Sequence, residues 1–330
     1  MVIIKNNYTD EQYTVGRLIG TYEGQQKGAH VLITTGLHGN EPSGVLAMIQ
    51  VMEKLRDEQP PMKGKITGLC GNLQALSQQV RYLDEDMNRI FLPATARMLD
   101  SRAPNTAEEK EMAELLDIFR AIKDEGEEVF FVDCHSTSSE TEPYVSLNAG
   151  YRKSYEFARG LPLTSVVGVE RVLKGCLSEY LNMLDFHGFT FEAGQHEARE
   201  TIACQEAMIW LALEHANCIS ADHPQVAIAL EVLKKNVREE PRFSHVTSAH
   251  KIELGEKFEM KPGFRNLQPV KKGELLAWVN GQEEYCPADG RILMPLYQKQ
   301  GNFGYFMTEE VDTEQFIQEA CFLSGEVEIT

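Results

Sequence analysis

Two short apolar runs in this chain each stop at a histidine, and their surroundings restrict the folds it can adopt. Val31 to Thr35 leads into His38-Gly39-Asn40-Glu41, and Val129 to Val132 leads into Asp133-Cys134-His135. A short continuous apolar run reads as a strand buried on both faces. Glu41-Pro42 follows the first run, and proline is favoured at the first helical position. Beyond it Val45, Met48, Ile49, Met52 and Leu55 recur at helical spacing and form one apolar face. A strand, a histidine-bearing loop and a helix therefore succeed one another, and Glu41 lies at the mouth of that helix.

The alternation continues to about residue 225. Ile66 to Cys70, Glu128 to Asp133 and Phe189 to Glu192 read as further strands. Thr106-x-x-Glu109 is a capping box, and Met112, Leu115, Leu116, Phe119 and Ile122 form the helical stripe behind it. A long amphipathic helix is expected over roughly His196 to Ala216. Strands and helices in alternation predict an α/β fold, a mixed and mainly parallel sheet with helices on both faces. After one more helix (Val226 to Leu233) the pattern changes. Pro262-Gly263, Lys272-Gly273, Asn280-Gly281, Asp289-Gly290 and Gln300-Gly301 recur about every ~10 residues, as turns between short antiparallel strands do. We expect a catalytic α/β domain over 1–235 and a small β-rich C-terminal domain over 236–330, packed closely because no low-complexity linker separates them.

Charge limits the partners. The formal net charge is −18 over 330 residues, which argues against nucleic acid and anionic membrane surfaces, both of which need clustered Lys and Arg. An anionic small molecule would have to be drawn in by a local cluster of cations. No stretch approaches the ~18 uninterrupted apolar residues of a membrane helix, and the N-terminus carries no signal-peptide pattern. The seven cysteines are scattered, with no Cys-x-x-Cys pair, as in reduced cytoplasmic proteins. A cytoplasmic location is expected. Oligomeric state is not legible, and a homo-oligomer is compatible with the sequence.

The chemistry-bearing residues cluster at strand ends. In open α/β sheets, residues past the carboxyl ends of strands line the ligand crevice. His38, Glu41 and His135 are two histidines and a carboxylate, the ligand set of a catalytic zinc site with one position left for water. Other divalent ions also suit such a set. Asp133 and Asp86 are candidates to accept the far ring N–H of a ligating histidine. Cys134 should face away from both of its neighbours and be a small buried strand residue. Glu192, ending an apolar strand, is either a surface carboxylate or a group that takes a proton from zinc-activated water and passes it to a leaving amine. The run Arg81 to Phe91, with two arginines and Asn88, is either a solvated loop or a grip for a carboxylate and a carbonyl.

Four motifs carry a resemblance. Gly-Leu-His-Gly-Asn-Glu (36–41), Arg-Tyr-x-Asp-x-Asp-x-Asn-Arg-x-Phe (81–91), Asp-Cys-His-Ser-Thr (133–137) and Phe-Glu-Ala-Gly (191–194) resemble, in order, the succinylglutamate desuccinylase/aspartoacylase family, a branch of the zinc carboxypeptidase-like hydrolases. The C-terminal segment resembles the family's second domain through Asn266-Leu267-Gln268 and the turn at 272–274. The resemblance implies one zinc ion per chain on His38, Glu41 and His135, Glu192 as general base and acid, and Arg81 as the group that polarises the scissile carbonyl. It implies that Asn88 and Arg89 hold the α-carboxylate. The implied reaction is hydrolysis of an N-acyl amino acid, a small anionic substrate, to a carboxylic acid and a free amino acid. Two positions depart from the family. An arginine about ten residues before the catalytic Glu is replaced by Asn182, with Arg171 and Lys174 as candidate substitutes. The family's substrate-contacting C-terminal tyrosine falls on Phe303, and Tyr305, two residues on, is the expected replacement. The missing arginine implies a substrate whose second part is neutral or differently placed.

Two other readings compete. A zinc metallocarboxypeptidase acting on short peptides would use the same ligands in a more open groove. A carrier module is suggested by the turn in Val270 to Ala277, but the modifiable lysine of such modules is missing.

Overall fold

The computed structural model describes residues 1–5, 11–196, 198–238, 242–322 and 328–329. Among these, eleven strands form one continuous path and a twelfth short strand joins its side. The central four, Lys63–Cys70, Gln26–Thr35, Val129–Thr137 and His187–Gln195, run parallel to one another. Tyr144–Leu147 lies antiparallel beside His187–Gln195, and Leu18–Glu23 closes the other edge, antiparallel to Lys63–Cys70. The sheet is thus mixed, with a parallel centre.

Alternation along the central strands builds two cores. Val31 and Ile33, with Val132 and Cys134 from the neighbouring strand, face one side and pack with helices Ser43–Glu58 and Arg199–His215. Leu32, Val129 and Phe131 face the other side, against helix Ala107–Asp124 and helix Leu177–Met183. Each fully buried Leu, Ile or Phe in these layers stabilises the fold by about 1.5–3 kcal/mol, and the side-chain period of two fixes which strand residues contribute to each layer. Cys134 is buried in the first core, away from its neighbours, and burial pushes its thiol well above the ordinary range.

At the predicted capping box the Thr106 hydroxyl accepts the Glu109 N–H at 3.1 Å, and the Glu109 carboxylate reaches back to the backbone of Asn105, whose N–H it accepts at 2.6 Å, and of Thr106, while also pairing with Arg102. The predicted helix at Val226 to Leu233 spans Pro224–Asn236.

The C-terminal strands are divided between two sheets. Phe258–Met260, Leu275–Val279 and Gln282–Tyr285 form a separate three-stranded antiparallel sheet. Phe243–Lys251 instead pairs parallel with Thr164–Val167, and Phe303–Glu310, Gly290–Leu293 and Gln268–Val270 follow outward from it. The large sheet therefore runs on into the C-terminal segment, which places the turn around Met294 to Asn302 over the carboxyl ends of the central strands.

Candidate metal centre and cleft

His38 and Glu41 sit on the loop between strand Gln26–Thr35 and helix Ser43–Glu58, whose entry is Pro42. The turn is tight: the Glu41 N–H donates to the His38 carbonyl at 3.1 Å. Gly39 is required there, because a Cβ at that position would lie 2.0 Å from the Ala75 carbonyl carbon. His135 lies on the adjacent strand Val129–Thr137. The three residues are buried, and their ligand atoms lie within 4.8 Å of one another. His38 Nδ1 is 2.8 Å from Glu41 Oε1, and His135 Nδ1 is 3.0 Å from Glu41 Oε2. Both Nδ1 atoms thus aim at one carboxylate. Charge from the two imidazoles overcomes the burial penalty and holds the Glu41 carboxyl well below the usual range.

The far ring nitrogens are anchored. His38 Nε2 lies 3.1 Å from Asp86 Oδ1, and His135 Nε2 lies 3.1 Å from Asp133 Oδ2. Asp133 and His135 are two residues apart on one strand, so they share a face. Asp133 is itself held by the Thr34 hydroxyl at 2.7 Å. Two ring nitrogens and a carboxylate converging, with the opposite ring nitrogens fixed by carboxylates, is the donor set and outer support that a zinc ion takes.

Glu192 pairs with His135 in register on the neighbouring parallel strand, so both side chains project from the same face. It lines the cleft and is buried, and its Oε2 has no protein partner. Burial pushes its carboxyl up to about 8; His135 and Arg81 pull it down, while Glu41 and Asp133 push it further up.

Arg81 is not on a solvated loop. Its Nε and Nη2 donate to Asp86 Oδ2 at 3.2 and 2.9 Å, and Nη1 lies 3.6 Å from Glu41. Asp86 thereby joins the guanidinium to His38, and it also accepts the Asn88 N–H at 2.9 Å. Asn88 uses its side-chain oxygen on the Leu177 N–H at 2.8 Å, which leaves its amide donors for the cleft it lines. Arg89 Nε is buried without a partner, and Arg89 also lines the cleft. Gly175, at φ +77, lets the facing turn approach the Arg89 carbonyl, which a Cβ there would meet at 2.2 Å.

The cleft encloses about 950 Å³, open mouth included, and Met294, Pro295, Leu296, Phe303 and Phe306 wall it from the C-terminal side. Tyr305 is not brought there. A bulge at Gly304 interrupts the alternation and turns Tyr305 away from Phe303; its ring packs with His250 and Phe258, and its hydroxyl donates to Glu284 at 3.2 Å. The place in the cleft expected of Tyr305 is taken by the ring of Phe303. Asn182 is also turned away: it donates to Ser154 Oγ at 3.0 Å and to the Phe186 carbonyl at 2.9 Å, and it accepts from Asn148 at 2.7 Å. Neither Arg171 nor Lys174 lines the cleft, and Arg171 lies 3.4 Å from Glu319.

Three cleft residues escaped the sequence reading. Ser136 donates its N–H to Glu41 Oε2 at 3.0 Å, and its hydroxyl lies 2.8 Å from His196 Nδ1. Glu170 lines the wall from the short helix Val169–Val172. Its signal was a carboxylate inside the apolar run Val166 to Val172. His196 had no signal beyond its place four residues after Glu192.

Several known proteins are similar to this chain. A family model described as the succinylglutamate desuccinylase/aspartoacylase catalytic domain matches residues 27–210. A succinylglutamate desuccinylase of Burkholderia lata is 32% identical over 85 residues, 26% of this chain and 24% of the relative. One from Photorhabdus laumondii is 34% identical over 61 residues, 18% of this chain and 19% of the relative. The chain thus matches only about a quarter or less of the length of these curated relatives. The crystal structure of a succinylglutamate desuccinylase/aspartoacylase from Rhodobacter sphaeroides superposes with a TM-score of 0.65 at 18% identity, covering 89% of this chain and 88% of that one. A succinylglutamate desuccinylase structure from Vibrio parahaemolyticus gives 0.60 at 12% identity over 88% and 84%. At these identities the superpositions show a shared fold. Among the described residues no helix is long and apolar enough to cross a membrane.

Proposed function

Because this chain belongs to the succinylglutamate desuccinylase/aspartoacylase family, we propose that it is a zinc-dependent amidohydrolase that cleaves an N-acyl amino acid into a carboxylic acid and a free amino acid. The carrying observation is the convergence of His38, Glu41 and His135 in a cleft that Glu192, Arg81 and Arg89 also line. Zinc held by those three residues, one ion per chain, supplies Lewis acidity and lowers the pKa of water.

The chain's own residues supply the rest. Glu192 takes the proton of the attacking water and delivers it to the amide nitrogen as the C–N bond breaks, so that the amine leaves neutral. A carboxyl raised toward neutrality suits both transfers, because it releases its proton as readily as it accepts one. Arg81, fixed by two hydrogen bonds to Asp86, places its remaining donors where oxyanion charge develops. Arg89 and the Asn88 amide hold the substrate α-carboxylate. Residues 1–235 carry the chemistry, and residues 236–330 cap the cleft through Met294 to Phe306. That cap supports a small substrate over a long peptide. The substrate is a small anion and the protein is cytoplasmic in this reading.

The test is a hydrolysis screen of N-acetyl, N-formyl and N-succinyl amino acids with zinc-loaded protein, alongside Glu192→Gln. Release of acid and amino acid is expected, with Glu192→Gln retaining one zinc per chain and losing at least about a hundredfold in kcat, the usual scale of general acid–base catalysis. Full turnover in that variant refutes the assigned proton shuttle. Release of terminal residues from unblocked peptides, without deacylation, would establish the carboxypeptidase reading instead.

A further inference from the structure

The cleft wall beyond the metal centre carries an unexplained carboxylate. Glu170 is 7% exposed and lines the cleft beside Ser146, Asn148 and Val169. Its Oε1 accepts the Ala149 N–H at 3.0 Å, which fixes the carboxyl plane. Its Oε2 is buried and has no protein partner. A buried carboxylate oxygen without a donor is costly, so such an atom in a ligand cleft marks a place for one. Burial accordingly raises the Glu170 pKa.

Among the described residues the cations that line the cleft are Arg81 and Arg89, both used at the reacting centre, and Arg171 acts on Glu170 only from outside the cleft, with its guanidinium 3.4 Å from Glu319. Asn182 spends its amide on Ser154, Phe186 and Asn148, while Arg171 and Lys174 do not line the cleft. The acidic residues lining it are Glu41, Glu192 and Glu170, and the first two belong to the reacting centre. Glu170 is thus the charged group on its wall, and its charge is negative. Arg89 and Glu170 line the same cleft. An amino acid bound with its carboxylate at Arg89 and its side-chain terminus at Glu170 would engage both charges.

We infer that Glu170 is a specificity-determining residue that selects an N-acyl amino acid whose side chain ends in an ammonium group, an Nα-acyl diamino acid. An ammonium both donates to Oε2 and neutralises the buried charge, which a hydroxyl or a methyl cannot do. A second carboxylate at this position would meet Glu170 as a like charge. The inference rests on the deacylase reading above and narrows its substrate.

The experiment measures acetate release from Nα-acetylornithine, Nα-acetyllysine, Nα-acetylnorleucine and N-acetylglutamate by the zinc-loaded wild type and Glu170→Gln. The wild type should favour the two diamino substrates over norleucine by at least about tenfold in kcat/KM, the worth of one charge-assisted hydrogen bond. Glu170→Gln should lose that preference, the diamino substrates falling toward the norleucine derivative in kcat/KM. Calorimetric binding of free ornithine against free norleucine to the wild type gives the same comparison without a variant, and ornithine should bind more tightly. Equal or better hydrolysis of the norleucine or glutamate derivative, or a preference unchanged in Glu170→Gln, overturns the role of Glu170 and leaves the deacylase standing. Absence of acid release from these and from their formyl and succinyl counterparts overturns the deacylase, and the inference with it.

Discussion

Asp86→Asn is the most demanding test of how this centre is held together. Asp86 divides its two oxygens between different partners. Oδ1 serves His38 Nε2 at 3.1 Å and the Asn88 N–H at 2.9 Å, while Oδ2 accepts from Arg81 Nε and Nη2. Asparagine keeps the shape but only one acceptor. If its oxygen faces His38, its NH₂ faces the Arg81 guanidinium; if it flips, its NH₂ faces His38 and Asn88. Either way donors oppose donors. Arg81 is also left without its main counter-charge in a buried site, since its side chain is only 12% exposed. Breaking a buried charge pair costs about 3–5 kcal/mol, and losing a carboxylate behind a metal-ligating histidine costs about 10–100-fold in affinity.

We therefore expect Asp86→Asn to weaken zinc binding by about 10–100-fold, measured by competition with a chromophoric chelator. Urea unfolding of the metal-free protein should lose roughly 3 kcal/mol. Asp133→Asn is the internal control. It touches His135 at 3.1 Å and Thr34 at 2.7 Å but no arginine, so it should weaken zinc comparably with a smaller stability loss. A folded Asp86→Asn protein with zinc affinity within about twofold of wild type would refute the claim that the outer carboxylate orients the ligand.

Two further outcomes are expected. Arg89→Ala should mainly raise KM, since it removes binding common to ground and transition states, whereas Arg81→Ala should mainly lower kcat by about 100-fold or more; steady-state kinetics showing the reverse would exchange their roles. His30 tests the fold away from the site. Burial, helped by the charge of Lys65, lowers its pKa from 6.5 to about 4. Below pH 6.5 the unfolded chain binds a proton that the folded chain refuses, so stability falls between pH 6.5 and 4 and this contribution levels off below 4. The full loss is roughly 3 kcal/mol. His30→Gln should flatten the fall of urea-unfolding free energy across that window, and an unchanged slope would show that His30 does not contribute to it.

The strand–helix alternation was legible because each segment carries a local pattern. Val31 to Thr35 announces its strand as a short continuous apolar run, and Val45 to Leu55 its helix by its spacing. The metal centre was legible for a related reason. His38 and Glu41 follow one apolar strand and His135 lies near the end of the next, and parallel strands bring such ends together. Asp133 could be foreseen behind His135 because residues two apart share a strand face. Tyr305 was misplaced because the bulge at Gly304 breaks that same rule between residues 303 and 305; its ring fills the C-terminal core with His250 and Phe258.

What the chain determined by itself was therefore the central strands and their main helices and the three candidate ligands, since these depend on local pattern and on where each strand stops. That Asn182 is turned away, that Glu170 faces the cleft with one oxygen bare, and that the C-terminal strands extend the main sheet were decided by packing between segments far apart in sequence. Local spacing fixes a side chain's direction relative to its own strand or helix. Only the neighbour across the gap determines whether that direction ends in a partner, in a core or in the cleft.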